Sequence, residues 1–216
     1  MCIYMANEAS EEPQIVNGKA KRILFKAMDL ILKNLEENIN HLNANFKHTQ
    51  KFINIVHDGL VNSRRFFLLA SGRSAFILQC FATRLVHLGA EVHMVTNLAS
   101  IPAIRKKDIL IVLSGSGTTS IVVSLLKNYV NTIKPHAIVC ITSHPETLIG
   151  RIGDVTIKLI GRTKKDRAPD EYAALTPEGT QFEQASFTYL DAIIAELAIK
   201  LGKTDEDLLK QHSESI

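Results

Sequence analysis

The sequence predicts an α/β fold: a three-layer αβα sandwich with a five-stranded parallel sheet in the order 2-1-3-4-5, plus N-terminal helices. Three observations predict it. The strand candidates are continuously apolar rather than alternating, which marks strands buried on both faces. Helical patterns separate them, as parallel βαβ units require. Serine- and glycine-rich turns stand where strands hand over to helices, at the carboxyl ends where such sheets carry their sites. The order is the simplest five-stranded doubly wound one, flavodoxin-like in topology.

Taken in order, residues 1–18 are expected to be a flexible N-terminal tail and residues 19–216 a single domain. From Lys19 to about Asn62 the pattern is helical. Ile23, Ala27, Leu30, Ile31, Leu35 and Ile39 recur at three- and four-residue steps, and Phe46, Phe52, Ile53, Val56 and Leu60 do so less regularly. Packing accounts for both helices. Phe66–Ala70 is the first strand, followed by Ser71-Gly72-Arg73-Ser74 and a helix to Leu88, stopped by Gly89. The second strand runs from about Glu91 to Thr96. The third, Asp108–Leu113, ends on Ser114-Gly115-Ser116-Gly117-Thr118-Thr119, and a helix from about Thr119 to Val130 follows. Ala137–Thr142 and Val155–Ile160 complete the sheet, and Gln181–Leu201 is the closing helix. The polar stretch Gly161–Gly179 between them is long enough for a functional loop.

Composition narrows the function classes. With 46% hydrophobic and 22% charged residues, the 216-residue chain can bury a core. A net charge of +3 and the absence of Trp fit a small anionic ligand and argue against a nucleic-acid partner. No apolar run approaches the ~20 residues that cross a bilayer, and Met1–Pro13 does not read as a secretory signal. No membrane partner is expected. The three cysteines, Cys2, Cys80 and Cys140, show no ligand spacing, so no metal is expected. A sparse, odd set suits a reducing cytoplasm, and Cys80 and Cys140 are expected to be buried thiols.

In the order 2-1-3-4-5 the first and third strands are neighbours, and their connections leave to opposite faces. The two Ser/Gly-rich turns therefore converge on one crevice. Gly72, Gly115 and Gly117 allow backbone N–H groups to approach an anion, while the hydroxyls of Ser74, Ser114, Ser116, Thr118 and Thr119 can donate. Each turn also opens a helix whose unpaired donors favour a phosphate, and Arg73 adds a positive charge. The alternative is structural: Ser74 and Thr119 cap their helices and the glycines only make tight turns. For one loop the readings balance; two loops at one crevice tip them towards anion binding. No complete dinucleotide fingerprint, Walker sequence or nucleophile elbow competes.

An isomerase that moves a carbonyl to the adjacent carbon would need a base that takes a proton beside it and returns it one carbon on. Glu183 is the candidate, in the first turn of the closing helix after Thr176-Pro177-Glu178-Gly179-Thr180. Local pattern alone favours a capping box, with Thr180 as N-cap and Glu183 three residues later; the two roles are compatible. His87 and His93 read as packed or surface residues. His212, after the acidic stretch Asp205–Lys210, is the other candidate, although a terminal histidine is ordinarily solvated. Lys164-Lys165-Asp166-Arg167 reads most simply as a solvated loop.

Gly72-Arg73-Ser74, the stretch Phe81–Gly89, Ser114-Gly115-Ser116-Gly117-x-Thr119 and Gly179-Thr180-x-Phe182-Glu183 together resemble the sugar isomerase (SIS) domain family, and within it the 6-phospho-3-hexuloisomerases. The likeness runs from about Leu30 to His212. It implies a homotetramer without cofactor or metal that interconverts D-arabino-hex-3-ulose 6-phosphate and fructose 6-phosphate, as in the ribulose monophosphate pathway. It further implies that Ser74, Ser114, Ser116 and Thr119 hold the phosphate, that Glu183 moves the proton, and that His212 reaches the site of an adjacent subunit. Ala70 and Ala75 depart from the family's glycines, Glu178 from its hydrophobic residue, and Gln211 from its arginine.

Overall fold

The computed structural model describes residues 15, 16, 19, 20, 22–95, 101–166, 175–204, 206, 207 and 210. Ile15–Val16 (β1) and Lys19–Ala20 (β2) form a short antiparallel ladder, β1 within the stretch read as a tail and β2 where the helical pattern was expected to begin. Two helices follow, Ile23–Ala44 (α1) and Phe46–Val61 (α2). The rest alternates: β3 (Phe66–Leu69), α3 (Arg73–His87), β4 (Val92–Met94), β5 (Ile109–Leu113), α4 (Ser120–Thr132), β6 (Ala137–Thr142), α5 (Leu148–Ile152), β7 (Val155–Lys158) and α6 (Thr180–Lys200). The main sheet is wholly parallel, in the order β4-β3-β5-β6-β7, which is the expected 2-1-3-4-5.

Strands β3, β5 and β6 are buried along their whole length, as continuous apolar runs require. Their residues alternate between two cores. Phe66, Leu68, Ile109, Ile111, Val139 and Ile141 pack towards α2, α3 and α6. Phe67, Leu69, Leu110, Val112, Ile138 and Cys140 pack towards α4 and α5 on the other face. The connections after β3 and β5 thus leave to opposite faces, and the crevice between them follows. Helix α5 lies in a stretch for which no element was expected; it has only five residues, too few for a periodic signal.

Helix α1 carries more than packing. Asn34 and Asn38 are buried, and both side-chain amides donate to the Ile160 carbonyl at 3.0 and 2.8 Å. The Ile160 N–H donates back to Asn38 Oδ1 at 2.7 Å. These bonds fasten the chain just beyond β7, where it turns towards α6. The cysteine expectation divides. Cys140 is buried, and burial pushes its thiol up to about 12. Cys80, expected inside, is exposed: it falls on the outward face of α3, whose inward stripe is Leu78, Phe81 and Leu85. Cys2 lies outside the described residues.

Candidate active site

The β3–α3 and β5–α4 turns leave adjacent strands at the same end of the sheet, since Leu69 pairs in register with Val112. The second turn is tied to its other neighbour. Ser114 N–H donates to the Ile141 carbonyl (3.0 Å), and Ser143 N–H donates to the Gly115 carbonyl (3.1 Å). Thr142 Oγ1 donates to that same carbonyl at 3.1 Å. The turn is held from behind, with its hydroxyls on the other side.

Those hydroxyls are not used for capping. Thr119 is the N-cap of α4, yet its side chain makes no cap bond. Its Oγ1 lies 3.4 Å from Ser114 Oγ, while Ser116 Oγ accepts from Thr118 Oγ1 at 3.2 Å. Well-formed hydroxyl bonds are about 2.7–2.8 Å, so these are loose and free to turn towards an anion. Ser114 and Ser116 are buried. The first ladder bond of α4 is Val123 N–H to the Thr119 carbonyl, which leaves the Ser120, Ile121 and Val122 N–H groups at the helix end for an anion. In the first turn, the half-buried Ser74 is the second residue of α3 rather than its cap, which is Gly72 at φ +62°.

The capping box expected of Thr180 and Glu183 does not form. The N-cap is Gly179, in the left-handed region at φ +88°, with no side-chain cap bond, and Thr180 is the first helical residue. Gly179 has a different purpose: a Cβ there would lie 3.1 Å from Glu183 Oε1. The glycine leaves room for the carboxylate. Phe182, 1% exposed, wedges between the loops. A Cβ on Gly115 would stand 2.8 Å from its ring, and one on Gly161 would collide with its backbone. Glycine is thus needed at 115 for close packing, and at 117 also for φ +63°, where a Cβ would strike Thr147. Through Phe182, the Ser114–Thr119 loop and Glu183 form one packed unit.

Glu183 itself lines a cleft of about 360 Å³ with Arg73, Phe76, Ile77, Gln184 and Phe187. Its side chain is 12% exposed, and Arg73 Nη2, from a 66% exposed side chain, lies 2.7 Å from Oε2. Oε2 is sealed from solvent and receives no well-directed hydrogen bond despite that approach. Burial raises the Glu183 carboxyl above the ordinary carboxylate value, with Arg73 opposing the rise. A carboxyl whose proton is held more tightly than usual is a candidate for taking and returning a proton. Arg73, expected among the anion ligands, is thus found on the candidate base.

Two features were not expected. Ser143 Oγ, beside Gly115, is buried without a hydrogen-bond partner; its place at the carboxyl end of β6 was the available signal. Lys165 and Asp166, read as solvated, belong to a cluster. Lys165 Nζ meets Glu146 at 2.9 Å, and Asp166 Oδ2 accepts the Thr163 N–H at 2.8 Å and lies 3.3 Å from His144 Nε2. His87 is buried and His93 pairs with Glu91 at 2.9 Å. His212 lies outside the described residues.

The SIS domain family matches residues 59–176. The 3-hexulose-6-phosphate isomerase of Bacillus subtilis is 32% identical over 157 residues, covering 72% of this chain and 82% of that one. That of Methanocaldococcus jannaschii is 34% identical over 158 residues, covering 72% and 79%. A Methanococcus jannaschii crystal structure, from which a molecular function of 3-hexulose-6-phosphate isomerase was inferred, superposes with a TM-score of 0.69 at 28% identity, covering 86% of this chain and 96% of that one. The fold, the Ser/Gly loop and the relatives agree, and this chain belongs to the SIS domain family, among its sugar-phosphate isomerases.

Proposed function

We propose that the chain interconverts D-arabino-hex-3-ulose 6-phosphate and fructose 6-phosphate through a 2,3-enediol. The observation that carries this reading is a half-desolvated carboxylate, Glu183, packed through Phe182 against a loop of loosely bonded hydroxyls. The relatives named as 3-hexulose-6-phosphate isomerases support the choice of substrate.

In the scheme, Ser114, Ser116, Thr118 and Thr119 close on the phosphate with the N–H groups opening α4, and Ser74 donates from the neighbouring turn. The phosphate anchors the sugar so that its second and third carbons lie over Glu183. Glu183 removes the proton from C2 of the 3-ketose, and the electron pair forms the C2–C3 double bond of the enediol. O3 takes up a proton as the enediol forms and O2 gives one up as it becomes the carbonyl, so one proton passes from O2 to O3 by way of water while Glu183 returns its own to C3. No atoms are gained or lost.

The test is NMR in D₂O with a panel of sugar phosphates. Fructose 6-phosphate is expected to lose its C3 proton signal to solvent deuterium and to equilibrate with the 3-hexulose phosphate. Equilibration of a pentose or amino-sugar phosphate alone would move the assignment to that substrate. Binding without exchange of any proton would make the protein a sugar-phosphate sensor.

A further inference from the structure

The geometry points to Arg73 as a positioning residue for Glu183, clamping Oε2 at the wall of the cleft so that Oε1 is the oxygen presented to substrate. This rests on the reading of Glu183 as the proton-transfer base, and it gives Arg73 a role other than phosphate binding.

Four observations carry it. Arg73 opens α3 and Glu183 stands in the first turn of α6, so the 2.7 Å pair bridges the starts of two helices packed on the same face of the sheet. Backbone geometry fixes both partners, through Gly72 at φ +62° before Arg73 and Gly179 at φ +88° before Glu183. The pair is lopsided in exposure: the 66% exposed arginine lies over a carboxylate that is only 12% exposed. The two oxygens differ in turn. Oε2 is sealed beneath the guanidinium, and Oε1 makes no hydrogen bond among the described residues and faces the space left by Gly179.

A base must present a particular lone pair to a particular C–H, and a misplacement of about 1 Å costs on the order of 100-fold in rate. A carboxylate with two equivalent oxygens and a free χ3 rotor would sample unproductive orientations. The clamp removes that freedom. It also sets the charge state, since Arg73 counters the effect of burial on Glu183. Loss of the guanidinium leaves a carboxyl that holds its proton more tightly. The phosphate, for its part, already has hydroxyls and helix N–H groups from the Ser114–Thr119 loop.

The experiment uses full-length Arg73→Met and Arg73→Lys beside the wild type, with two readouts. In the first, turnover is followed against pH together with competitive inhibition by inorganic phosphate. For R73M, kcat is expected to fall about ten- to hundredfold near neutrality. Its acid limb is expected at higher pH, part of the activity returning as pH rises, while phosphate inhibits as in the wild type. R73K is expected to recover part of both losses. In the second readout, ¹³C-labelled glutamate resonances are titrated, with Glu183 assigned from E183Q; R73M is expected to shift the Glu183 titration upward. This arm needs no substrate, so it still reads the clamp if every sugar phosphate fails. Phosphate inhibition weakened tenfold or more with the acid limb unmoved would make Arg73 an anion ligand and overturn the proposal. So would an unshifted Glu183 titration in R73M.

Discussion

Two of the arginine–carboxylate pairs among the described residues stand at opposite ends of the sheet. Arg65 and Asp108 stand immediately before β3 and β5, and Arg73 and Glu183 lie beyond the strands' carboxyl ends. The first pair is saturated. Asp108 is fully buried and accepts from Arg65 Nε at 3.1 Å, Arg65 Nη2 at 2.6 Å and the Arg105 N–H at 2.6 Å. Arg65 is itself largely covered and lies over the Phe67 ring. The second pair has one short contact, an exposed arginine and a sealed oxygen without a well-directed donor. Satisfied carboxylates hold structure together; an under-satisfied one retains chemical potential for a reaction. Contact distance alone does not separate them, since the closest approaches are 2.6 and 2.7 Å.

The contrast is sharpest in what removing each carboxylate does. Glu183→Gln is expected to lower kcat by roughly 10²–10⁴-fold, the usual contribution of a general base, with circular dichroism and melting cooperativity unchanged. Asp108→Ala is expected to do the reverse. Stranding Arg65 should cost about 3–5 kcal/mol of stability, read by urea denaturation, with little change in turnover per folded molecule. A stable Asp108→Ala protein, or a fully active Glu183→Gln protein, would erase the distinction.

A smaller effect tests the connection between loop and base. Gly115→Ala puts a methyl 2.8 Å from the Phe182 ring, and overpacking of this kind costs about 1–3 kcal/mol. Because Phe182 precedes Glu183, the variant is expected to lower kcat as well as weaken phosphate inhibition. Weakened phosphate binding with an unchanged kcat would mean that the loop and the base are mechanically independent.

Most of this architecture was legible beforehand. The sheet order followed from continuous apolar strands, and so did the placing of the two Ser/Gly turns at the ends of neighbouring strands. What escaped depends on contacts distant in sequence. The amides of Asn34 and Asn38 look like ordinary polar helix residues until Ile160 is brought beside them. Arg73 and Glu183 are too far apart in the chain for any local pattern to pair them. Thr180 and Glu183 matched a capping box because spacing cannot reveal that Gly179 takes the cap position in the left-handed region. Cys80 was misplaced because an apolar helix stretch contains outward positions as well as inward ones.

The least of the expected effects concerns stability against pH, and it has opposite causes at work in one residue. Burial raises the folded-state value of the Glu183 carboxyl, and Arg73 only partly opposes it. A raised carboxyl binds its proton more tightly in the folded protein than in the unfolded chain, so its contribution favours the fold in acid. As pH climbs past the ordinary carboxylate value of about 4.3, the unfolded chain releases this proton first. Stability is then lost until the folded value is passed. Glutamine cannot ionise, so Glu183→Gln escapes that loss. Relative to wild type, its stability in urea is expected to rise from an acid plateau to a higher neutral plateau, gaining in stability what it loses in turnover. A difference that stays flat from pH 4 to 8, or that falls, would mean that the carboxylate is as well satisfied as Asp108 and stores nothing for the reaction.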